Sequence, residues 1–425
     1  MSYTVEEKKQ GIKIHYIQDK KYKTNLITMF ITNPLNEQTV TKNALITSIL
    51  RMGTKNINTQ EEINKKLENM YGAEFNCGVE KLGDNQLLKF YIEVLNDEFV
   101  PEKKKLLKES LDLLFEIAFN PLVEEDGFKK DYMITEKNSL KQLIESRPNS
   151  KDQYAFERCI EHMYKGSSYS IFKYGKVEDL ENINEKELYT YYKQMIEEAK
   201  IDIYISGDYD LEEIKNIVSN NENMQNLNSR EPKYVVGNEQ GGSSPKESPD
   251  KIEDKMDVTQ GKLVIGLNIE NGSPEKMYEM AMYNVILGGS ATSKLFQNVR
   301  EKASLAYTAR SVYVRQKDTI FIRCGIEIDN YDKAVEIINQ QLEDMKNGII
   351  TDEEINSSKN TMITSVKTIQ DEQDTQITYF IGKELSNEKP DFEAYIDGIN
   401  SVTKEKIVQV ANSIKTNTIY FLTNA

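Results

Sequence analysis

Two short stretches decide the fold: IEVLND, Ile92 to Asp97, and IEIDN, Ile326 to Asn330. Each closes a strand-like apolar run. Each also precedes a helix-forming segment, with Leu107, Leu111, Leu114 and Ala118 after the first and Val335, Ile338, Leu342 and Met345 after the second, all at helical spacing. The two stretches stand 234 residues apart, from 92 to 326. The same offset takes Tyr71 in ENMYGAEF to Leu305 in ASLAYTAR, and an offset one residue larger takes Gly53 to Gly288. A register that recurs at several places points to duplication. Each half reads helix, glycine-containing turn, helix, strand, hairpin, strand, helix, and ends in a further strand, Ile201 to Ser206 in one and Thr418 to Leu422 in the other. The expected fold class is α+β: two homologous domains, each a mainly antiparallel sheet with helices packed on one face.

Between the halves, Asn220 to Met256 is rich in Asn, Gly, Ser, Pro and charge and poor in large apolar groups, the composition of a linker. The expected organisation is a first domain over 1–219, a linker over 220–256 and a second domain over 257–425. A length of 425 residues suits two or three domains, and 38% hydrophobic with 29% charged residues suits a soluble globular chain. Sixty-nine acidic against 54 basic side chains leave a formal charge of −15, which repels nucleic-acid phosphates and anionic membranes, so neither is an expected partner. The start, MSYTVEEKKQ, lacks the apolar core of a secretory signal, and no stretch is apolar enough to cross a bilayer. A cytoplasmic location is the expectation. Cys77, Cys159 and Cys324 are far apart, fitting neither a disulfide framework nor a metal knuckle, and read as free thiols.

Only two histidines are present, His15 in the alternating GIKIHYIQ and His162 in the helical FERCIEHMY. Unless they converge they cannot form a two-histidine metal site, and each reads as an ordinary imidazole of core or surface. No GxSxG elbow accompanies them, which disfavours a serine hydrolase. GGSATSK, Gly288 to Lys294, lacks the glycine directly before lysine that a phosphate-binding loop needs, and it follows a helix rather than a strand. Glu61 with Glu62, and Glu124 with Glu125, read as acidic helix starts favourable to the helix dipole.

The segment NVILGGSATSKLFQNVREKASLAYTARSVY, Asn284 to Tyr313, closely resembles the second-domain signature of the insulinase-like (pitrilysin, mitochondrial-processing-peptidase) zinc peptidases. GSSYSIFKYGKVEDLENINEKELYTYYKQM, Gly166 to Met195, resembles that family's first-domain stretch, so the resemblance spans the chain. Active members carry H-x-x-E-H on an early helix, where two histidines hold zinc and the glutamate activates its water. Alignment of NALITSILRMGT on Gly53 and Thr54 places Ala44, Thr47 and Ser48 at those positions. Anchoring on YAFER places Gln142 or Leu143 at the third ligand, with Glu136 matching a supporting acidic residue. The resemblance therefore implies a dismantled centre with no metal and no cofactor, in a chain inactive on its own. It is closest in character to the bacterial zinc-less branch associated with 5-aminopentanol modification of elongation factor P.

In active members an arginine and a tyrosine seven residues later hold the substrate backbone and the developing oxyanion; the matches are Arg300 and Tyr307. A guanidinium fork and a phenol can both donate to a carbonyl oxygen as its charge grows. The expected function is thus a non-catalytic subunit of a peptidase pair. It would form half of a peptide-binding chamber, bind extended peptide by strand addition, and present Arg300 and Tyr307 in trans to a zinc-bearing insulinase-like partner. The alternative is a self-dimer that binds or chaperones peptides without cleavage. A 1:1 complex with an H-x-x-E-H protein distinguishes the first from the second.

Overall fold

A computed structural model describes residues 1–101, 104–237, 243, 246–269 and 276–425. In chain order the strands are β1 (Ser2–Lys9), β2 (Ile12–Gln18), β3 (Thr24–Pro34), β4 (Glu74–Leu82), β5 (Asn85–Leu95), the short ribbon β6 (Val123–Glu124) and β7 (Gly127–Phe128), β8 (Lys200–Gly207), β9 (Asp250–Met256), β10 (Gly261–Ile269), β11 (Ala306–Val314), β12 (Thr319–Ile326) and β13 (Ile414–Asn424). The helices are α1 (Val40–Leu50), α2 (Gln60–Asn69), α3 (Leu106–Phe119), α4 (Lys130–Glu145), α5 (Lys151–Met163), α6 (Val177–Glu181), α7 (Glu185–Glu198), α8 (Leu211–Asn220), α9 (Glu222–Asn226), α10 (Met277–Leu287), α11 (Tyr331–Lys346), α12 (Asp352–Asp371), α13 (Gln373–Glu384), α14 (Phe392–Asn400) and α15 (Lys404–Ser413). A π-helical turn, Phe296–Lys302, precedes β11.

The expected α+β duplication is present strand for strand. One sheet runs β1-β2-β8-β3-β5-β4, the other β11-β12-β10-β13-β9. Read from its opposite edge, the second repeats the first without β1. Each contains one parallel pair, β2 with β8 and β9 with β13, in otherwise antiparallel surroundings. The register repeats too: Ile27 lies opposite Ile92 and Gly261 opposite Ile326, so both strands keep the 234-residue offset, from 27 to 261 and from 92 to 326.

At the edge strands the offset slips to 232 along most of β11 (Asn76 opposite Tyr91, Thr308 opposite Gly325) and to 231 before its bulge, where Phe75 lies opposite Ile92 but Ala306 opposite Ile326. The first hairpin turns through residues 83–84, the second through 315–318, and β11 carries a bulge between Ala306 and Thr308. Tyr71 and Leu305 are consequently not equivalent positions. Both helix-to-strand corners still use left-handed backbone outside glycine, at Tyr71 (φ 60°) and Ser304 (φ 51°).

The chain divides into two compact units that interleave in sequence. Unit 1 comprises Met1–Ser146, Ile171–Val235 and Gln373–Gly382; unit 2 comprises Arg147–Ser170, Val236–Glu372 and Lys383–Ala425. In each, inward residues of the sheet and a helical layer form one apolar core, with Ile27, Met29, Phe90, Ile203, Leu111 and Leu114 in unit 1 and Ile265, Ile322, Ile338, Leu342 and Phe421 in unit 2. The helical spacing at Leu107–Ala118 and Val335–Met345 reflects these inward faces.

Each sheet also has a helix on its other face, which sequence periodicity does not show. In unit 2, Ala155, Cys159, Ile160 and Met163 of α5 pack on Val264, Phe321, Tyr420 and Leu422. In unit 1, Gln373 of α13 donates to the carbonyls of Ser206 and Thr24, at 3.0 and 3.3 Å, and Asp374 pairs with Lys89 at 2.7 Å. Within the stretch read as linker, Glu222–Asn226 is helical and Asp250–Met256 is an edge strand. Glu61 and Glu62 do open a helix, where Glu62 completes a capping box with Thr59. Glu124 and Glu125 do not: they form the β6–β7 turn, with Glu125 and Asp126 left-handed at φ 49° and 67°. The acidic pair there serves a hairpin instead of a helix dipole.

Candidate functional site

The first set of positions lies on α1, which packs against α4 and β4. Ala44 and Thr47 are buried, as are most residues of α1, polar Thr41 and Asn43 among them. Ala44 offers no donor atom. Thr47 is 3% exposed, and its hydroxyl donates to the Ala44 carbonyl at 2.7 Å. The Ser48 hydroxyl is directed to the same carbonyl, at 3.5 Å. On α4, Gln142 is exposed and Leu143 is a 44% exposed hydrocarbon. The helices of the two motifs are thus brought together, but their side chains do not form a donor set.

Three neighbours occupy the surroundings instead. Cys77 of β4 donates its thiol to the Thr47 carbonyl at 3.2 Å, and burial pushes its pKa up to about 12, although Arg51 acts in the opposite sense. Burial raises the Glu136 carboxyl, again against the pull of Arg51. A dication needs several deprotonated donors at short range. Ala44 supplies no donor and the two hydroxyls are engaged with backbone, which leaves one thiol and one carboxyl, too few donors, so zinc does not fit this collection. Among the described residues, no group of three or more His, Cys, Asp and Glu is arranged to hold a metal ion. Arg51 is in the aligned segment, three residues beyond Ser48, but corresponds to no ligand position, so alignment gives it no role.

The second set lies in unit 2, Arg300 on the π-helix and Tyr307 at the start of β11. Gly288 ends α10 so close to β11 that a methyl group would sit 2.5 Å from the Ser311 nitrogen, while its carbonyl accepts from that nitrogen at 2.9 Å. Lys294 is no phosphate ligand: it is buried and pairs at 2.9 Å with Glu354, which also caps α12. The widened π turn then carries Arg300 over the Phe296 ring, 4.5 Å from the centroid, with Glu301 at 3.6 Å. The Arg300 side chain is 43% exposed. Tyr307 sits at the β11 bulge, 63% exposed, its hydroxyl 3.5 Å from Glu327. Among the described residues these long contacts are the only polar partners of the two side chains.

Each histidine has its polar partners within its own unit. His15 is fully buried in unit 1, with Nε2 3.0 Å from Asp202 and Nδ1 2.8 Å from the Tyr3 hydroxyl. Asp202 also pairs with buried Lys200. Burial alone would raise the Asp202 carboxyl, but Lys200 and His15 hold it down at about 2. This array escaped sequence reading, although the charges at i and i+2 in the otherwise apolar KIDIYISG were a signal that one strand face carries polar groups. His162 lies in unit 2, 3.2 Å from Arg158, with its pKa lowered by burial and by that guanidinium. Cys77, Cys159 and Cys324 are free thiols.

Comparison with known proteins matches residues 182–362 to the family described as peptidase M16 inactive domain. A Bacillus subtilis protein named probable inactive metalloprotease YmfF is 30% identical over 99% of this chain and 98% of its own. The Bacillus subtilis uncharacterized zinc protease YmxG is 24% identical over 72% of each chain. Among solved structures, a conserved protein from Enterococcus faecalis superposes with a TM-score of 0.88 at 26% identity, covering 100% of this chain and 99% of that one. A peptidase M16 inactive domain from Pseudomonas fluorescens gives 0.79 at 16% identity, over 100% and 99%. Among the described residues, no helix is long and apolar enough to cross a membrane.

Proposed function

Because the chain belongs to the insulinase-like M16 peptidase family, as one of its inactive members, we propose that it is the zinc-less subunit of a cytosolic peptidase pair. It forms half of a peptide-binding chamber and offers Arg300 and Tyr307 to a substrate held at the zinc of its partner. The observation that carries this reading is the exposure of both side chains with no close polar partner in their own unit. An arginine and a phenol left exposed beside a strand edge are suited to grip a peptide carbonyl and the negative charge that develops on it. Unpaired edge strands, β4 in unit 1 and β11 in unit 2, suit capture of extended peptide by strand addition. On its own the chain hydrolyses nothing, since its α1 positions hold no metal ligand.

The test is association followed by turnover. Affinity purification from the native host should recover a 1:1 complex with an H-x-x-E-H homologue, and cleavage of a fluorogenic peptide should require both chains. Isolation of a stable self-dimer that binds peptide and recruits no such partner would replace this reading with that of a peptide-holding pseudopeptidase.

A further inference from the structure

The sheet of unit 2 repeats that of unit 1 except for the outermost strand. In unit 1, β1 covers the outer edge of β2 in antiparallel register. Among the described residues no strand does this for β9, the counterpart of β2. Register sets that correspondence: Met29 and Leu263, at the 234-residue offset, lie opposite Ile203 and Phe421, which in turn lie opposite Ile14 of β2 and Glu253 of β9. By alternation, Ile12, Ile14 and Tyr16, fully buried in unit 1, become Lys251, Glu253 and Lys255 in unit 2, all exposed.

That face of β9 borders open space. A groove of about 570 Å³ runs beside it, lined by Ile328, Tyr331 and Phe421 together with the three charged residues. Among the described residues Lys251 and Asp257 have no ion pair, and Lys255 reaches only Glu253 of its own strand, at 3.9 Å. Charges of one sign along an edge repel a second edge. Here they alternate: Lys251, Glu253, Lys255 and, just past the strand end, Asp257. Read backwards, the series is its own complement. An antiparallel copy centred on Asp254 sets Lys251 against Asp257 and Glu253 against Lys255, and repeats both pairs beyond the centre. On the other face it sets Ile252 against Met256, again twice. The one like-charged pair is Asp254 with itself, and that carboxylate already accepts from Arg158 at 3.1 Å and from the Tyr420 hydroxyl at 2.7 Å.

We propose that β9 pairs with β9 of a second copy of this chain, antiparallel across a twofold axis, and so joins two unit 2 sheets edge to edge. A twofold contact uses the same surface on both copies and closes at two. The groove gives room on the inner face to the lysine and glutamate side chains of the incoming strand, whose methylenes lie on Ile328 and Tyr331. The proposal is independent of the paired-subunit reading, because β9 and β11 are opposite edges of the sheet and Tyr307 is on β11. Self-association at β9 therefore does not exclude a zinc-bearing partner. Where such a partner binds, the complex holds two copies of each chain.

The test is sedimentation velocity of the full chain between about 1 and 100 μM, where an interface of one strand pair should dissociate. A shift from monomer to dimer with rising concentration is expected. Lys251→Glu with Lys255→Glu, and separately Glu253→Lys with Asp257→Lys, should each weaken dimerisation about a hundredfold, since the attractive pairs become repulsive. All these positions are exposed, so both variants should melt with the native chain. Mixing the two variants should restore the dimer, because every one of these pairs is then opposite in sign. A chain that stays monomeric throughout, a dimer that both reversals leave intact, or a mixture that fails to associate overturns the strand pairing. None of these outcomes alters the 1:1 ratio expected with an H-x-x-E-H homologue, which is measured separately.

Discussion

Unit 1 and unit 2 carry the same central strands in the same register, yet they dispose of their polar groups in different ways. On α1 the three positions that would face a metal present a methyl, a buried hydroxyl 2.7 Å from backbone and a hydroxyl directed to that same backbone carbonyl. On the outer face of that sheet, Tyr3, His15, Asp202 and Lys200 are linked into one buried chain of contacts. Unit 2 instead leaves Arg300 and Tyr307 in the open, and sets two arginines against one carboxylate. The frame is retained in both halves while the chemistry differs, as expected when function is a local graft on a shared scaffold. The difference is that unit 1 turns these polar groups inward onto its own backbone and side chains, where unit 2 leaves two of them exposed.

The sharpest way to break this contrast is to rebuild the motif. Ala44→His with Thr47→Glu and Ser48→His should not restore hydrolysis, because Gln142 and Leu143 supply no third ligand and no supporting shell. A carboxylate at the 3% exposed position 47 should cost roughly 3–5 kcal/mol in urea unfolding. Stoichiometric zinc with efficient peptidase activity in that variant would show the third-ligand assignment to be wrong. Next in size, Arg300→Ala in the complex with a zinc-bearing partner should lower kcat about a hundredfold with assembly intact, the usual loss for one oxyanion donor. Unchanged turnover would reduce Arg300 to its contact with Phe296 and Glu301.

The duplication was legible because sheet register is inherited residue by residue: Ile92 and Ile326 mark homologous strand ends, and the 234-residue offset holds in the central strands. It failed at Tyr71 and Leu305, where a longer hairpin and a bulge shift β11, because turn length and bulges are not periodic. Motif alignment gives Ala44, Thr47 and Ser48 without imidazole or carboxylate, since an absent imidazole is evident in one dimension. Alignment also marks Glu136 as a supporting acidic residue, but Cys77 and Arg51 beside it were not evident, because they come from a strand and a helix end that only folding assembles. The helices on the outer faces were hidden for a related reason. The amphipathic pattern of α5 shows that it must cover something, but not which sheet it covers.

A smaller effect tests whether the polar chain in unit 1 is structural. Asp202 titrates at about 2 in the folded protein, against about 3.9 in an unfolded chain. A depressed carboxyl pKa adds stability above the unfolded value, and that stability is lost as pH falls through the folded one. The contribution is roughly 2–3 kcal/mol at neutral pH, and about half is gone by about pH 3. The stability difference between the native chain and Asp202→Asn should therefore shrink by this amount on acidification. A difference that does not change between pH 7 and pH 3 would remove Asp202 from the network.

The smallest predicted effect returns to what the halves share. Gly53 and Gly288 stand at matching turns, and in both the obstacle to a side chain is backbone: the Asn58 carbonyl oxygen at 2.7 Å for one, the Ser311 nitrogen at 2.5 Å for the other. Neither has the left-handed φ that would itself demand glycine. Alanine at either site must push main chain aside, so each substitution should cost about 1–3 kcal/mol in urea unfolding. Gly382→Ala provides the control, since it lies in α13 with nothing within 4 Å of a new methyl and should stabilise by roughly 0.5–1 kcal/mol. Equal penalties at 53 and 288 would mean that the two turns are retained for packing alone, whatever the chemistry beside them. A harmless Gly288→Ala with a costly Gly53→Ala would show that the turn beside Arg300 tolerates movement, and that its glycine is not required by close approach.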